Sequence, residues 1–78
     1  MSEIKPDQTL DTKGMNCPMP VLKTKKALDT IEPGQILEVL TTDPGSKSDI
    51  PALLDRLGHE LVETKEDGGV ITFYIKKK

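Results

Sequence analysis

The chain has 78 residues, with 13 acidic and 11 basic side chains and a net charge of −2. That length makes one domain with a thin core, too small to enclose a large cofactor. The near-balanced charge, with Phe73 and Tyr74 as the only aromatics, argues against a strongly basic nucleic-acid carrier or a base-stacking platform.

The N-terminus, Met1 to Gln8, is polar and holds Pro6. It is expected to be flexible and does not read as a signal peptide. The first strand is expected over Thr9 to Thr12, followed by a turn at Gly14. From Pro18 to about Ile31, the residues Val21, Thr24, Ala27, Leu28 and Ile31 recur at the helical period on one side. Pro18 suits a first helical position, and Pro33-Gly34 is expected to stop the helix.

Gln35 to Thr42, "QILEVLTT", reads as a central strand because it is rich in branched and apolar residues. Asp43-Pro44-Gly45 breaks it. A second helix is expected from Ser48, as N-cap, to Leu57, with Asp49 and Pro51 in its first turn. Its apolar face is Ile50, Leu53, Leu54 and Leu57, and Gly58 ends it. His59 to Lys65 is a weakly alternating strand, Glu66-Asp67-Gly68-Gly69 a hairpin turn, and Val70 to Ile75 the last strand. In that strand Ile71, Phe73 and Ile75 share a face. Lys76 to Lys78 reads as a solvated basic tail.

The order is β-α-β-α-β-β. The expected fold is a two-layer α/β sandwich. It has a mixed four-stranded sheet, two helices on one face and the other face open. No linker or repeat divides the chain, so residues 1–78 read as one domain. No run reaches the about 20 apolar residues of a membrane span. The single cysteine excludes an internal disulfide, and the expected compartment is the reducing cytoplasm. One cysteine and one histidine, His59, do not make a structural zinc site.

The segment "GMNCPMP", residues 14 to 20, holds that cysteine. With Pro18 opening the helix, Cys17 would be the N-cap. The partial positive charge at a helix start favours a thiolate and lowers the thiol pKa. N-cap side chains accept from the second or third helical N–H, but Pro18 and Pro20 have none. On this reading only Met19, among the first three positions, can donate to the sulfur. The thiolate would be favoured yet loosely tied, which suits transfer chemistry because nucleophilicity falls with pKa. Both prolines stiffen the turn. The plainer alternative is an ordinary helix opener beside a small buried cysteine.

Cys17-Pro18-Met19-Pro20 resembles the signature of the TusA/SirA-like small sulfur carriers. The likeness extends through Asp11, Gly14, Val21, Asp43-Pro44, Asp49-Ile50-Pro51 and Gly58-His59. It covers nearly everything from Leu10 to the end. The resemblance implies the same β-α-β-α-β-β sandwich. It also implies that Cys17 accepts a sulfane sulfur as a persulfide from a donor protein, a cysteine desulfurase or a rhodanese-like protein. An acceptor protein's cysteine would then take the sulfur. Destinations in the family are 2-thiouridine in tRNA, cofactor assembly and sulfur oxidation. Lys13 stands where many members have arginine, and Met19 fills a variable position that is often acidic.

A one-cysteine carrier needs no base, metal or organic cofactor, because a thiolate alone attacks a persulfide's outer sulfur. The support residues are Gly14, Pro18, Met19 and Pro20. Met19 and Leu22 fall on the outer side of the first helix, bordered by Lys23 and Lys26, with Lys13 near the loop. An apolar pair with a basic rim is a plausible contact for acidic protein partners. His59 could act as a base, but its place between a helix end and a strand favours a structural role. Lys23, Lys25 and Lys26 suit a solvated helix face better than a nucleic-acid site. Two other readings are a small RNA-binding module and a regulatory interaction domain with an incidental thiol; alkylation of Cys17 separates them from the carrier.

Overall fold

In the computed structural model, β1 (Gln8–Thr12) leads to α1 (Met19–Leu28), β2 (Ile36–Thr41), α2 (Ser46–Leu57), β3 (Glu60–Asp67) and β4 (Val70–Lys76). The structure describes residues 5–16 and 18–78; Cys17 and the first four residues lie outside the described residues. The sheet order is β1-β2-β4-β3. β1 runs parallel to β2, while β4 pairs antiparallel with both β2 and β3. This is the expected two-layer sandwich.

The period-2 alternation of the strands sorts residues by face. Leu37 and Val39 of β2 and Ile71, Phe73 and Ile75 of β4 form the buried floor. Ala27 and Leu28 of α1, Ile31 just beyond it, and Ile50 and Leu54 of α2 cover that floor. The opposite face carries Thr9, Glu38, Tyr74 and Glu63 in one cross-strand row. A bulge between Leu61 and Glu63 shifts the register in β3, which is an edge strand, where bulges concentrate.

Several boundaries differ from the sequence expectation. α1 ends at Leu28, three residues short of Ile31. Thr30 donates its hydroxyl to the Ala27 carbonyl at 2.6 Å, and the Asp29 and Thr30 amides reach back only to Lys26 and Ala27. These local bonds compete with helix continuation. α2 begins at Ser46 with Gly45 as N-cap, not at Ser48, so Pro51 lies inside the helix. Asp43 starts it early: its carboxylate accepts the Gly45 amide at 3.2 Å and its carbonyl accepts the Ser46 amide at 3.0 Å. Leu57 is 38% exposed and is not part of the buried face; it sits in the last turn, beyond the reach of the sheet floor.

The hairpin turn is only Gly68-Gly69, since Asp67 pairs with Val70. Both glycines have positive φ, the backbone a two-residue hairpin demands. Lys76 belongs to β4, and the residues after it are not a free tail. The Lys77 carbonyl accepts the Gly34 amide at 2.7 Å, and its Nζ donates to the Ile31 carbonyl at 2.8 Å. The Lys78 amide donates to His59 Nδ1 at 3.1 Å, a structural role for that imidazole. At the other end Asp7 is tied to Ile36 by two hydrogen bonds, at 2.8 and 2.7 Å, so the expected flexible segment does not extend to Asp7 and Gln8.

Candidate functional site

Two parallel strands followed by helices put two loops at one end of the sheet. β1 ends at Thr12 and β2 at Thr41, and these two residues are register partners. Each strand is followed by a loop and then a helix that runs back across the sheet. The starts of α1 and α2 therefore share the end of the molecule where residues 13–16, Pro18 and residues 42–45 lie. Partial positive charge from two helix starts converges there. The general rule for parallel strands places functional sites at this end.

The polar groups beneath this end are satisfied. Thr12, Thr24, Thr41 and Ser46 are buried. Thr12 donates to the Leu40 carbonyl at 2.6 Å, and Thr24 donates to the Pro20 carbonyl at 2.7 Å. Thr41 accepts the Asp43 amide at 3.1 Å and lies 3.4 Å from the Ser46 hydroxyl. Such a network fixes the loop bases because every buried polar atom has a partner.

Gly14 is the joint between the loops. Its φ of +82° lies in the left-handed region, which glycine enters without a Cβ penalty. Its amide donates to the Thr42 hydroxyl at 2.9 Å, stitching the first loop to the second. Lys13 is exposed, with Nζ 3.9 Å from the Asp11 carboxylate.

The N-cap expected at Cys17 is not observed. Pro18 is the N-cap, with φ −96° and ψ 11°, and Met19 and Pro20 are the first two helical residues. The Met19 amide donates to the Asn16 carbonyl at 2.9 Å; the expected bond from that amide to the Cys17 sulfur lies outside the described residues. The first helical bond runs from the Leu22 amide to the Pro18 carbonyl at 3.0 Å. Cys17 itself lies outside the described residues, held in sequence between Asn16 and Pro18, both of which are exposed.

Pro20 and Thr24 face inward and are buried. Met19 and Leu22 face outward, 42% and 54% exposed, on the flank expected from the helical wheel. Lys23 and Lys26 line a shallow groove with Leu10, Ala27 and Thr30 beside the free edge of β1. A second groove, which the sequence reading missed, lies on the other flank of α1. Pro18 and Val21 form one wall and Asp49, Ala52, Leu53 and Arg56 of α2 the other. The spacing of those four α2 residues at i, i+3, i+4 and i+7 was the available signal.

The open sheet face has a different character. The Tyr74 hydroxyl hydrogen-bonds the Glu38 carboxylate, which with burial and the charges of Glu38 and Glu63 raises the phenol pKa above 10.0. Thr9 donates to the same Glu38 at 3.0 Å, and Lys65 Nζ lies 5.5 Å from the Tyr74 ring centre. Carboxylates on both sides of the only ring on this face oppose phosphate binding there. Among the described residues no group of His, Cys, Asp and Glu could hold a metal ion, and no helix is long and apolar enough to cross a membrane.

The family model described as sulfurtransferase TusA matches residues 8–77. The sulfur carrier protein TusA of Allochromatium vinosum is 51% identical over 71 residues, which span 91% of this chain and 93% of that one. The putative sulfur carrier protein YrkI of Bacillus subtilis is 47% identical, over 95% of this chain and 99% of its own. The crystal structure of a SirA-like protein from Desulfitobacterium hafniense superposes with a TM-score of 0.79 at 32% identity. It covers 88% of this chain and 95% of that one.

Proposed function

Because the chain belongs to the TusA family of sulfurtransferases and is a sulfur carrier, we propose that Cys17 is the atom on which the sulfur travels. The observation that supports this reading is the place of Pro18, Met19 and Pro20, which follow Cys17 directly in sequence: they form the N-cap and first residues of α1, at the end of the sheet where both helix starts converge.

The transfer is a pair of thiol exchanges. The Cys17 thiolate attacks the outer sulfur of a donor protein's persulfide. A new bond forms between Cys17 Sγ and that sulfur, the donor's S–S bond breaks, and the donor cysteine leaves with the electron pair. An acceptor cysteine thiolate then attacks the carried sulfur, and Cys17 leaves as thiolate. Each step is redox-neutral and needs no cofactor. The chain has one cysteine, so no internal thiol can resolve the persulfide and delivery is intermolecular. The positive end of α1 favours the anionic sulfur in both states.

Gly14 and the two prolines hold the loop, and Met19 with Leu22, rimmed by Lys23, Lys26 and Lys13, receives acidic protein partners. Exposed apolar side chains beside cationic ones support this docking surface. The test of the central claim is intact mass spectrometry after incubation with a cysteine desulfurase and cysteine. Wild type should gain one sulfur, removed by dithiothreitol. Cys17→Ser should gain none; loading of that variant would overturn the assignment. For the docking surface, Lys23→Glu with Lys26→Glu should slow transfer from the protein donor while a small alkylating reagent reacts with Cys17 as before.

A further inference from the structure

The groove between α1 and α2 has its own chemistry, separate from the lysine-rimmed flank. Its apolar lining is Pro18, Val21, Ala52 and Leu53, and its volume is about 240 Å³. Pro18 directly follows Cys17 in sequence, so this groove adjoins the carrier loop. Asp49 and Arg56 also line it. They stand seven residues apart on α2, about 10 Å along the helix axis. Opposite charges therefore mark the two ends of the α2 wall, with apolar side chains between.

Arg56 is the only arginine in the chain. It is exposed, and the ion pairs among the described residues involve other cations, Lys13, Lys47 and Lys65. A guanidinium with no carboxylate partner among the described residues, at the rim of an apolar groove, is complementary to a carboxylate with an apolar neighbour. About three residues of extended chain cover the length of the α2 wall.

We propose that this groove seats an extended segment of a partner protein, the segment that carries the partner's reactive cysteine, with an acidic residue of that segment paired to Arg56. The inference rests on the sulfur-carrier reading and adds a second contact surface to it. The apolar floor takes one side chain of the segment, and Arg56 fixes its direction. Lys23 and Lys26 face the other flank of α1, so the two surfaces are separable by substitution. A carrier that meets a donor and an acceptor in turn has, on this arrangement, one flank of its thiol loop that reads the sequence around the incoming cysteine.

The experiment measures thiol exchange with short peptides whose cysteine is activated as a mixed disulfide with thionitrobenzoate. In each peptide a leucine lies between the cysteine and a glutamate three residues away, with the glutamate on either side. Control peptides carry lysine in place of glutamate. Attack by the Cys17 thiolate joins the peptide to Cys17 and expels coloured thionitrobenzoate, which reports the rate. Wild type should react roughly three- to fivefold faster with a glutamate peptide than with its lysine control, the size of a favourable exposed ion pair. Arg56→Glu should invert that preference, and Lys65→Glu, on the open face of the sheet beside Tyr74, should leave it intact. Reaction with the unconjugated small disulfide should be the same in all three proteins. A glutamate preference that survives Arg56→Glu, or is absent from wild type in both orientations, overturns the proposal. Sulfur loading by mass spectrometry is independent of this readout, so failure of the carrier reading is seen separately.

Discussion

Tyr74 is the only tyrosine in the chain, so its ionisation can be followed without interference. Its hydroxyl donates to the Glu38 carboxylate, and that bond, then burial, then the charges of Glu38 and Glu63 all favour the neutral phenol. A raised folded-state value means the phenol stabilises the fold below the ordinary value of 10.0. That contribution is lost as pH rises through the folded value. An absorbance titration of the native protein should give a midpoint above 10.0, and Glu38→Gln should move it down. A wild-type midpoint at or below the ordinary value would remove the Glu38 bond from the account. Gly14 makes a second residue-scale case. Among the described residues, no atom beyond the two chain neighbours lies within 4 Å of a Cβ added there, so Gly14→Ala meets chiefly the cost of a left-handed backbone, about 1–2 kcal/mol. Chemical denaturation should show that loss, and sulfur loading should slow because the link from Gly14 to Thr42 is disturbed. Unchanged stability would mean the loop relaxes freely. The Cys-Pro-Met-Pro run stood out as a candidate site in the sequence because two prolines remove donors wherever they stand. The Asn16 carbonyl as the partner of the Met19 amide did not, since a turn hydrogen bond leaves no mark in residue type.

Elements were legible where periodicity was strong. The strand cores and the inward face of α1 follow from alternation and the helical repeat, and the structure places them so. Element ends were less legible because they depend on side chain to backbone bonds, as at Thr30 and Asp43, that propensity does not weigh. α2 shows the cost of such a miss. With Ser46 as its first residue, Pro51 has no amide to donate to the Lys47 carbonyl one turn back. An interior proline costs about 3 kcal/mol of helix stability, partly offset by a stiffer unfolded chain. Pro51→Ala should therefore raise stability by roughly 1–2 kcal/mol in urea denaturation. A loss instead would show that Pro51 is needed to seat the first turn of α2 against Thr41. The groove between the helices was missed at this scale. Asp49 and Arg56 gain a shared neighbourhood only once Pro18 and Val21 are placed opposite them.

The whole molecule rests on one thin core centred on Phe73, which is 1% exposed. Phe73→Ala should cost about 3–5 kcal/mol, a large share of the 5–15 kcal/mol typical of a small domain. Its urea midpoint should fall steeply, and an unchanged midpoint would show that the core had collapsed around the loss. The sheet order β1-β2-β4-β3 has a further consequence, which concerns synthesis. β4 is the last strand of this domain to be made, yet it lies between β2 and β3. While β4 is still inside the ribosome, β3 has no neighbour and one edge of β2 is bare. Cys17 leaves the ribosome long before the strand that completes the sheet, so a growing chain displays its thiol on an unfinished scaffold. Competence to receive sulfur should arrive abruptly, once β4 clears the exit tunnel. Stalled nascent chains ending at Lys78 should be poor acceptors from a protein donor, whereas chains extended by a long flexible linker should load like the free protein. Equal loading of both would mean that the donor recognises the unfolded loop alone.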